Sequence, residues 1–107
     1  MKPCRKPTDF EMEVYERTRG VPRGRVTTYG RLAAALGRGT ARSVGTALSK
    51  NPFAPEVPCH RVVRADGSLG GFNGYTSGPE LERKRRMLRE EGVPFDENGR
   101  VSGAAMW

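Results

Sequence analysis

Between Ser49 and Pro58 the chain carries Asn51, Pro52, Pro55 and Pro58. Proline lacks an N–H, locks φ and drives the preceding residue toward extended backbone, so no helix or central strand runs through that spacing. The segment is an ordered connecting loop that delivers the chain into Pro58-Cys59-His60-Arg61-Val62-Val63, where the sole histidine stands between a cysteine and an arginine. His60 to Arg64 reads as strand-like, with Val62 and Val63 favouring extended backbone. The thiol is therefore expected where an entering loop meets buried structure. Asp66-Gly67 predicts a hairpin turn, with Ser68-Leu69 starting the return strand.

Before the prolines the apolar spacing is helical. Thr8-Asp9 can cap a first helix that carries Phe10 and Val14 on one face and stops at Gly20. Val21-Pro22-Arg23-Gly24-Arg25-Val26 reads as a turn into a short extended piece, with two arginines in reach of a phosphate backbone. Thr27 or Thr28 caps the next helix, where Tyr29, Leu32, Ala33 and Leu36 fall at i, i+3, i+4 and i+7 before Gly37. Thr40 caps a third, with Ala41, Val44, Gly45 and Leu48 repeating the spacing. Two short helices across a glycine-containing turn meet the requirement of a helix-turn-helix, as do many pairs of amphipathic helices that bind no DNA.

After the prolines, Gly70 to Gly78 is rich in glycine and holds Phe72, Asn73 and Tyr75; it reads as a binding loop or as a solvent loop with no role. Pro79 opens a charged helix, Glu80 to Glu91, whose only apolar residues are Leu81, Met87 and Leu88 and whose charges are expected to form a solvated face. Val93 to Val101 predicts two short extended pieces about Asn98-Gly99. Residues 1–7 read as a flexible tail and 8–107 as one domain.

The chain has 107 residues, with 19 basic against 12 acidic and a formal charge of +7. Arginine dominates the basic set, and its planar fork suits phosphate and DNA grooves, although a solvated basic surface accounts for the charge equally well. Two cysteines and no long apolar run point to a reducing compartment, with no membrane partner. Cys4, Cys59 and His60 lack metal-ligand spacing, so no metal is expected. A free thiol, with pKa about 8.5, is a few per cent ionised at neutral pH, and only the thiolate attacks. His60 is the available base; because neighbouring side chains diverge, a water must bridge it to Cys59. The alternative is a buried apolar cysteine beside a satisfied histidine.

Taken together, Val21-Pro22-x-Gly-x-Val26, Thr28-Tyr29-Gly30-x-Leu32-Ala33, Ala41-Arg42-x-Val44-Gly45, Asn51-Pro52 and Pro58-Cys59-His60-Arg61-Val62-Val63 resemble the carboxy-terminal domain of the O6-alkylguanine-DNA alkyltransferases, in the same order, from about Phe10 to Gly92. The resemblance implies a mainly α fold with short strands and a winged helix-turn-helix character. It also implies a monomer without cofactor, acting on double-stranded DNA that contains O6-alkylguanine, in the cytoplasm or in a eukaryotic nucleus. On this resemblance the protein enters the minor groove, rotates the damaged guanine out of the stack and takes its alkyl group onto Cys59. His60 serves as base through a water, and Glu91 orients the imidazole. Arg42 fills the vacated stack, Tyr29 crowds the adjacent phosphate and donates to the leaving guanine, Asn51 braces the turn, and the Val62 carbonyl accepts from the guanine amino group. Thr28, Ser43, Arg61, Phe72 and Asn73 complete the implied DNA contacts.

The size and the tail from Val93 to Trp107 are also similar to the alkyltransferase-like proteins, which bind alkylated guanine without transfer and direct it to nucleotide excision repair proteins. A third class, a helix-turn-helix regulator that ignores damage, requires neither Cys59 nor His60.

Overall fold

The computed structural model describes residues 7–53, 56–70 and 78–107. Helix α1 (Asp9–Arg19) begins in a capping box: the Thr8 hydroxyl accepts from the Glu11 amide, and the Thr8 amide donates to the Glu11 carboxylate. Both groups are orphan donors that would otherwise face solvent unpaired. Its inward face carries Val14, Tyr15 and Thr18, all fully buried. The Tyr15 hydroxyl donates to the Ala47 carbonyl at 2.8 Å, so the ring is buried without stranding its polar end.

Of the two candidate caps for the next helix, Thr28 is the one used: its hydroxyl accepts from the Arg31 amide and starts α2 (Tyr29–Leu36), which Gly37 ends in the left-handed conformation. Thr40 and Ser43 form a capping box at the start of α3 (Ala41–Ser49). The α2–α3 turn is fixed from behind. Gly39 has φ +81°, and a Cβ there would lie 2.6 Å from the Phe10 ring of α1. Arg38, from the same turn, pairs with Glu13 and lies over the Phe10 ring. The helix-turn-helix anticipated from glycine and threonine spacing is present, and α1 packs across both of its helices.

Beyond Pro58 the backbone departs from expectation. Cys59–Arg61 form a 3-10 turn rather than extended chain, and only Val62–Val63 form a strand, β2. Its partner is β1 (Thr27–Thr28), in parallel, with Thr27 opposite Val62 and Thr28 opposite Val63. The turn at Asp66-Gly67 exists, closed by Arg64 N–H to the Ser68 carbonyl, but Ser68-Leu69 form no return strand. The Gly67 carbonyl instead accepts from the Val101 amide, so the tail occupies the place a return strand would take. A valine pair buried on both faces suits a parallel interior strand better than a solvated hairpin.

The alternation of β2 divides the interior. Val62 faces a core with Val14, Tyr15, Leu32, Val44, Leu48 and Cys59. Val63 faces a second, with Val26, Leu69, Leu88, Val93 and Val101. The second core lies under α4 (Pro79–Glu90) and the tail, which turns at Asn98-Gly99 as expected, bridges Phe95 to Val101 and then adds Met106 alongside Val26. Arg23 and Arg25 were expected near phosphate; the structure directs Arg23 to the Glu90 carbonyl and Arg25 to those of Ala105 and Met106. On the inner side of α4 the apolar Leu81, Met87 and Leu88 are not alone. Lys84 is completely buried there. Among the described residues no helix is long and apolar enough to cross a membrane.

Candidate active site

The end of α3 is joined to the cysteine by one side chain. The Asn51 carbonyl oxygen accepts from the Phe53 amide at 2.9 Å, and its amide nitrogen donates to the Val57 carbonyl at 3.1 Å. That brace sets the course of the proline loop and leaves Cys59 at the start of the 3-10 turn, 9 % exposed, at the edge of the first core. Burial pushes the thiol's pKa up. A hydrogen bond from the Asn51 side chain, the charge of Lys84 and the amides of Cys59 and His60 oppose it without reversing it. The resting thiol therefore holds its proton at neutral pH and needs a base to attack anything.

The next residue is the candidate base by position. His60 is buried, and its Nε2 lies 2.9 Å from Glu91 Oε2 at the C-terminal cap of α4. Burial opposes the charge of Glu91, yet the Arg61 fork and the His60 ring hold its carboxyl down to about 2. A carboxylate with no proton can only accept, so Nε2 carries the hydrogen and Nδ1 is left as the ring's acceptor. Burial lowers the pKa of His60, and Arg61 and Lys84 lower it further; together they outweigh the upward pull of Glu91. The ring is thus neutral and able to take a proton at pH 7.

Arg61 completes this chain. Its Nε and Nη2 donate to the two oxygens of Glu91 at 2.9 and 2.8 Å, and Nη1 donates to the Val21 carbonyl at 3.0 Å. A bidentate fork of this kind fixes the carboxylate plane as well as its charge. The guanidinium expected at DNA is directed into the protein, tying the 3-10 turn to α4 and to the segment before β1.

The structure brings Cys59, His60, Glu91, Asn51, Arg61 and Val62 together, with Arg61 turned to Glu91 and Val21 rather than outward. Tyr29, the first residue of α2, packs against the first core and lies beside Gly70, where a Cβ would come within 2.9 Å of its hydroxyl. Thr28 is buried, with its hydroxyl engaged as a cap. Arg42 and Ser43 lie apart from the thiol in the first turn of α3, where Arg42 is exposed. They line a groove of about 410 Å3 that also takes in Thr8, Phe10 and Thr46. Phe72 and Asn73 lie outside the described residues, as does Cys4. Among the described residues no group of His, Cys, Asp and Glu is placed to hold a metal ion.

Lys84 is the site residue that sequence reasoning missed. Its Nζ donates to the Val62 carbonyl at 2.7 Å and to the Leu69 carbonyl at 2.6 Å. It lies 5.9 Å from the centre of the Tyr29 ring. A signal was present, since Leu81, Lys84 and Leu88 share one helical face at i, i+3 and i+7, the face that has to be buried.

Residues 9–93 match the family model described as 6-O-methylguanine DNA methyltransferase, DNA binding domain. The chain belongs to this family. The methylated-DNA--protein-cysteine methyltransferase of Salmonella typhimurium is 46% identical over 86 residues, covering 79% of this chain and 47% of that protein. The chain spans about half the length of the curated relatives it matches. Mycobacterium tuberculosis OGT, solved in complex with DNA, superposes with a TM-score of 0.71 at 40% identity, over 81% of this chain and 52% of that one. Atl1 of S. pombe, solved in complex with damaged DNA containing O6-carboxymethylguanine, superposes with a TM-score of 0.76 at 30% identity, over 92% of this chain and 94% of that one. The mainly helical fold with its small sheet is thus that of the methyltransferase DNA-binding domains.

Proposed function

We propose that this methyltransferase-family domain repairs O6-alkylguanine in duplex DNA by moving the alkyl group irreversibly to Cys59. Helices α2 and α3 approach the minor groove, whose degenerate pattern suits a protein that seeks damage rather than sequence. Arg42 occupies the stack position vacated by the guanine, offsetting part of the few kcal/mol that extrusion costs. Tyr29 stands at the entrance to the thiol, at the flanking phosphate. Phe72 and Asn73 contact the base from the loop that follows Gly70.

In the reaction the Cys59 proton passes through a water to Nδ1 of His60, and Glu91 stabilises the imidazolium by accepting from Nε2. The thiolate attacks the alkyl carbon; an S–C bond forms as the C–O6 bond breaks, and the electron pair leaves on guanine. Guanine takes up a proton from Tyr29, and the proton on His60 restores the balance. The thioether has no route back to a thiol, so each molecule acts once.

The observation that carries this reading is the hydrogen-bonded chain His60–Glu91–Arg61, built on the same short turn as the thiol. It supplies the base that a thiol held protonated by burial needs in order to react. The competing reading, recognition alone followed by recruitment of excision repair proteins, is favoured by the match to Atl1 over nearly the whole of both chains. Mass spectrometry after incubation with O6-methylguanine DNA separates the two. Transfer adds one methyl group to the Cys59 peptide of the wild-type chain and none to Cys59→Ser. Selective binding with unchanged mass supports recognition alone.

A further inference from the structure

We propose that the turn over residues 21–24 is a positioning element for Glu91: the Val21 carbonyl, the Arg23 guanidinium and the bare Cα of Gly24 together hold the carboxylate against Nε2 of His60. The inference rests on reading His60 as the base and deepens it by naming what keeps the partner of that base in place.

Glu91 stands where a side chain is hard to hold. It is the C-terminal cap of α4, and the last turn of a helix leaves carbonyls without intrahelical partners. Arg23 Nη2 donates to one of them, that of Glu90, at 3.3 Å, which places a cation at the negative end of the helix. Gly24 lies against the next. A Cβ built there would be 3.1 Å from the Glu91 carbonyl oxygen, and its φ of +86° is one that side-chain-bearing residues rarely adopt. The carboxylate is held through the same turn: Arg61, whose Nε and Nη2 grip both of its oxygens, donates from Nη1 to the Val21 carbonyl at 3.0 Å. Backbone and carboxylate of one residue are thus both seated on four consecutive residues.

The turn is itself anchored at both ends. The Val21 amide donates to the Thr18 carbonyl at the end of α1, and the Arg25 amide donates to the Pro22 carbonyl, both at 3.1 Å. Shortly after Gly24 the chain enters β1, which pairs Thr27 with Val62, the residue that follows the Cys59–Arg61 turn. One short segment therefore meets the base from two sides. Through β1 it fixes the strand after His60, and through residues 21–24 it fixes the helix end that carries Glu91. The 2.9 Å between Nε2 and Oε2 is set between these two attachments. A carboxylate so placed keeps the ring hydrogen on Nε2 and leaves Nδ1 as the acceptor.

The test needs no DNA, so its result stands whether or not alkyl transfer is found. His60 is the sole histidine, and the nitrogen shifts of its ring, read by NMR where the ring is neutral, report the ratio of its two tautomers. The wild-type ring should carry its hydrogen on Nε2; a hydrogen on Nδ1 would overturn the reading of His60 as base and the proposal with it. Gly24→Ala is compared with Gly67→Ala, a matched control whose φ is also +86° and whose Cβ would meet the Val101 carbonyl at 2.7 Å, in the tail rather than at α4. Both substitutions should lower the urea midpoint. Only Gly24→Ala should move His60: displacing Glu91 loses a hydrogen bond to a charged acceptor, and the ratio of Nε2–H to Nδ1–H rings should fall about tenfold. Wild-type shifts in a folded Gly24→Ala, or an equal change in Gly67→Ala, overturn the proposal. If Gly24→Ala does not fold, Arg23→Met takes its place on an exposed side chain; a change in the same direction supports the proposal and unmoved shifts overturn it. Gly37→Ala, with φ +70° and open space about its Cβ, replaces a Gly67→Ala that does not fold and is judged in the same way.

Discussion

At Glu91 three groups share one carboxylate: His60 and both arms of the Arg61 fork. Its depressed pKa makes a statement about stability. A carboxyl held at about 2 when folded and near 4.5 when unfolded stabilises the domain fully above pH 4.5, and that contribution disappears as pH falls toward about 2. Urea titrations at pH 6 and pH 3 should therefore show a lower midpoint at pH 3, and Glu91→Gln should make the difference smaller. Arg61→Met leaves Glu91 without its main partner and the Val21 carbonyl without a donor. Removing one member of a largely buried ion pair costs roughly 3 kcal/mol. It also takes a positive charge away from His60, so the histidine should titrate at higher pH, by NMR, than in the wild type. If Arg61 acted at phosphate alone, neither quantity would move.

The turn between α2 and α3 is set by contacts from α1, and its glycines are not equivalent. Gly39 combines φ +81° with a Cβ position only 2.6 Å from the Phe10 ring, whereas Gly30, in α2, would place a Cβ in open space. Gly39→Ala should lower stability by more than about 1 kcal/mol, and Gly30→Ala should raise it by roughly 0.5 kcal/mol, both read from urea unfolding. Opposite signs are the signature; equal effects would remove the α1 clamp from the account. On α3, Arg42 and Lys50 separate base replacement from charge neutralisation. Arg42→Ala should reduce the preference for lesion over undamaged duplex about tenfold with little change in salt dependence. Lys50→Ala should leave that preference intact and alter, at most, the salt slope. Competitive binding at several salt concentrations distinguishes them.

At the scale of the molecule, two small cores share one two-residue strand, Val62 facing the first and Val63 the second. Neither core is closed without β2, and β2 has no support without β1, α4 and the tail beside Val26. The domain should therefore unfold in one step. Trp107, the sole tryptophan, reports on the tail, and far-ultraviolet circular dichroism reports on the helices. Their urea midpoints should coincide; a tail that releases earlier would show the second core to be separable.

The helices were legible because their signals are local. Thr8, Thr28 and Thr40 cap, Gly20, Gly37 and Gly92 stop, and apolar spacing marks the inward face; each works within a few residues of itself. The ordered motifs likewise brought Cys59, His60 and Asn51 to attention, and the resemblance they carry brought Glu91. The partners of Val62, Arg61 and Lys84 were not legible, because they depend on residues far away in the chain. Val62-Val63 alternate as an edge hairpin would, and only the approach of Thr27-Thr28 makes them an interior parallel strand. A basic residue in a basic chain gives no sign of being used inward. Whether it meets phosphate, as expected for Arg61, or a carboxylate and a carbonyl is decided by how α4 packs, which brings Glu91 and Val21 to the fork and places Lys84 where water cannot reach it. Local chemistry determined the elements and the Cys59-His60 pair; burial, which no single segment encodes, decided which charges hold the site together.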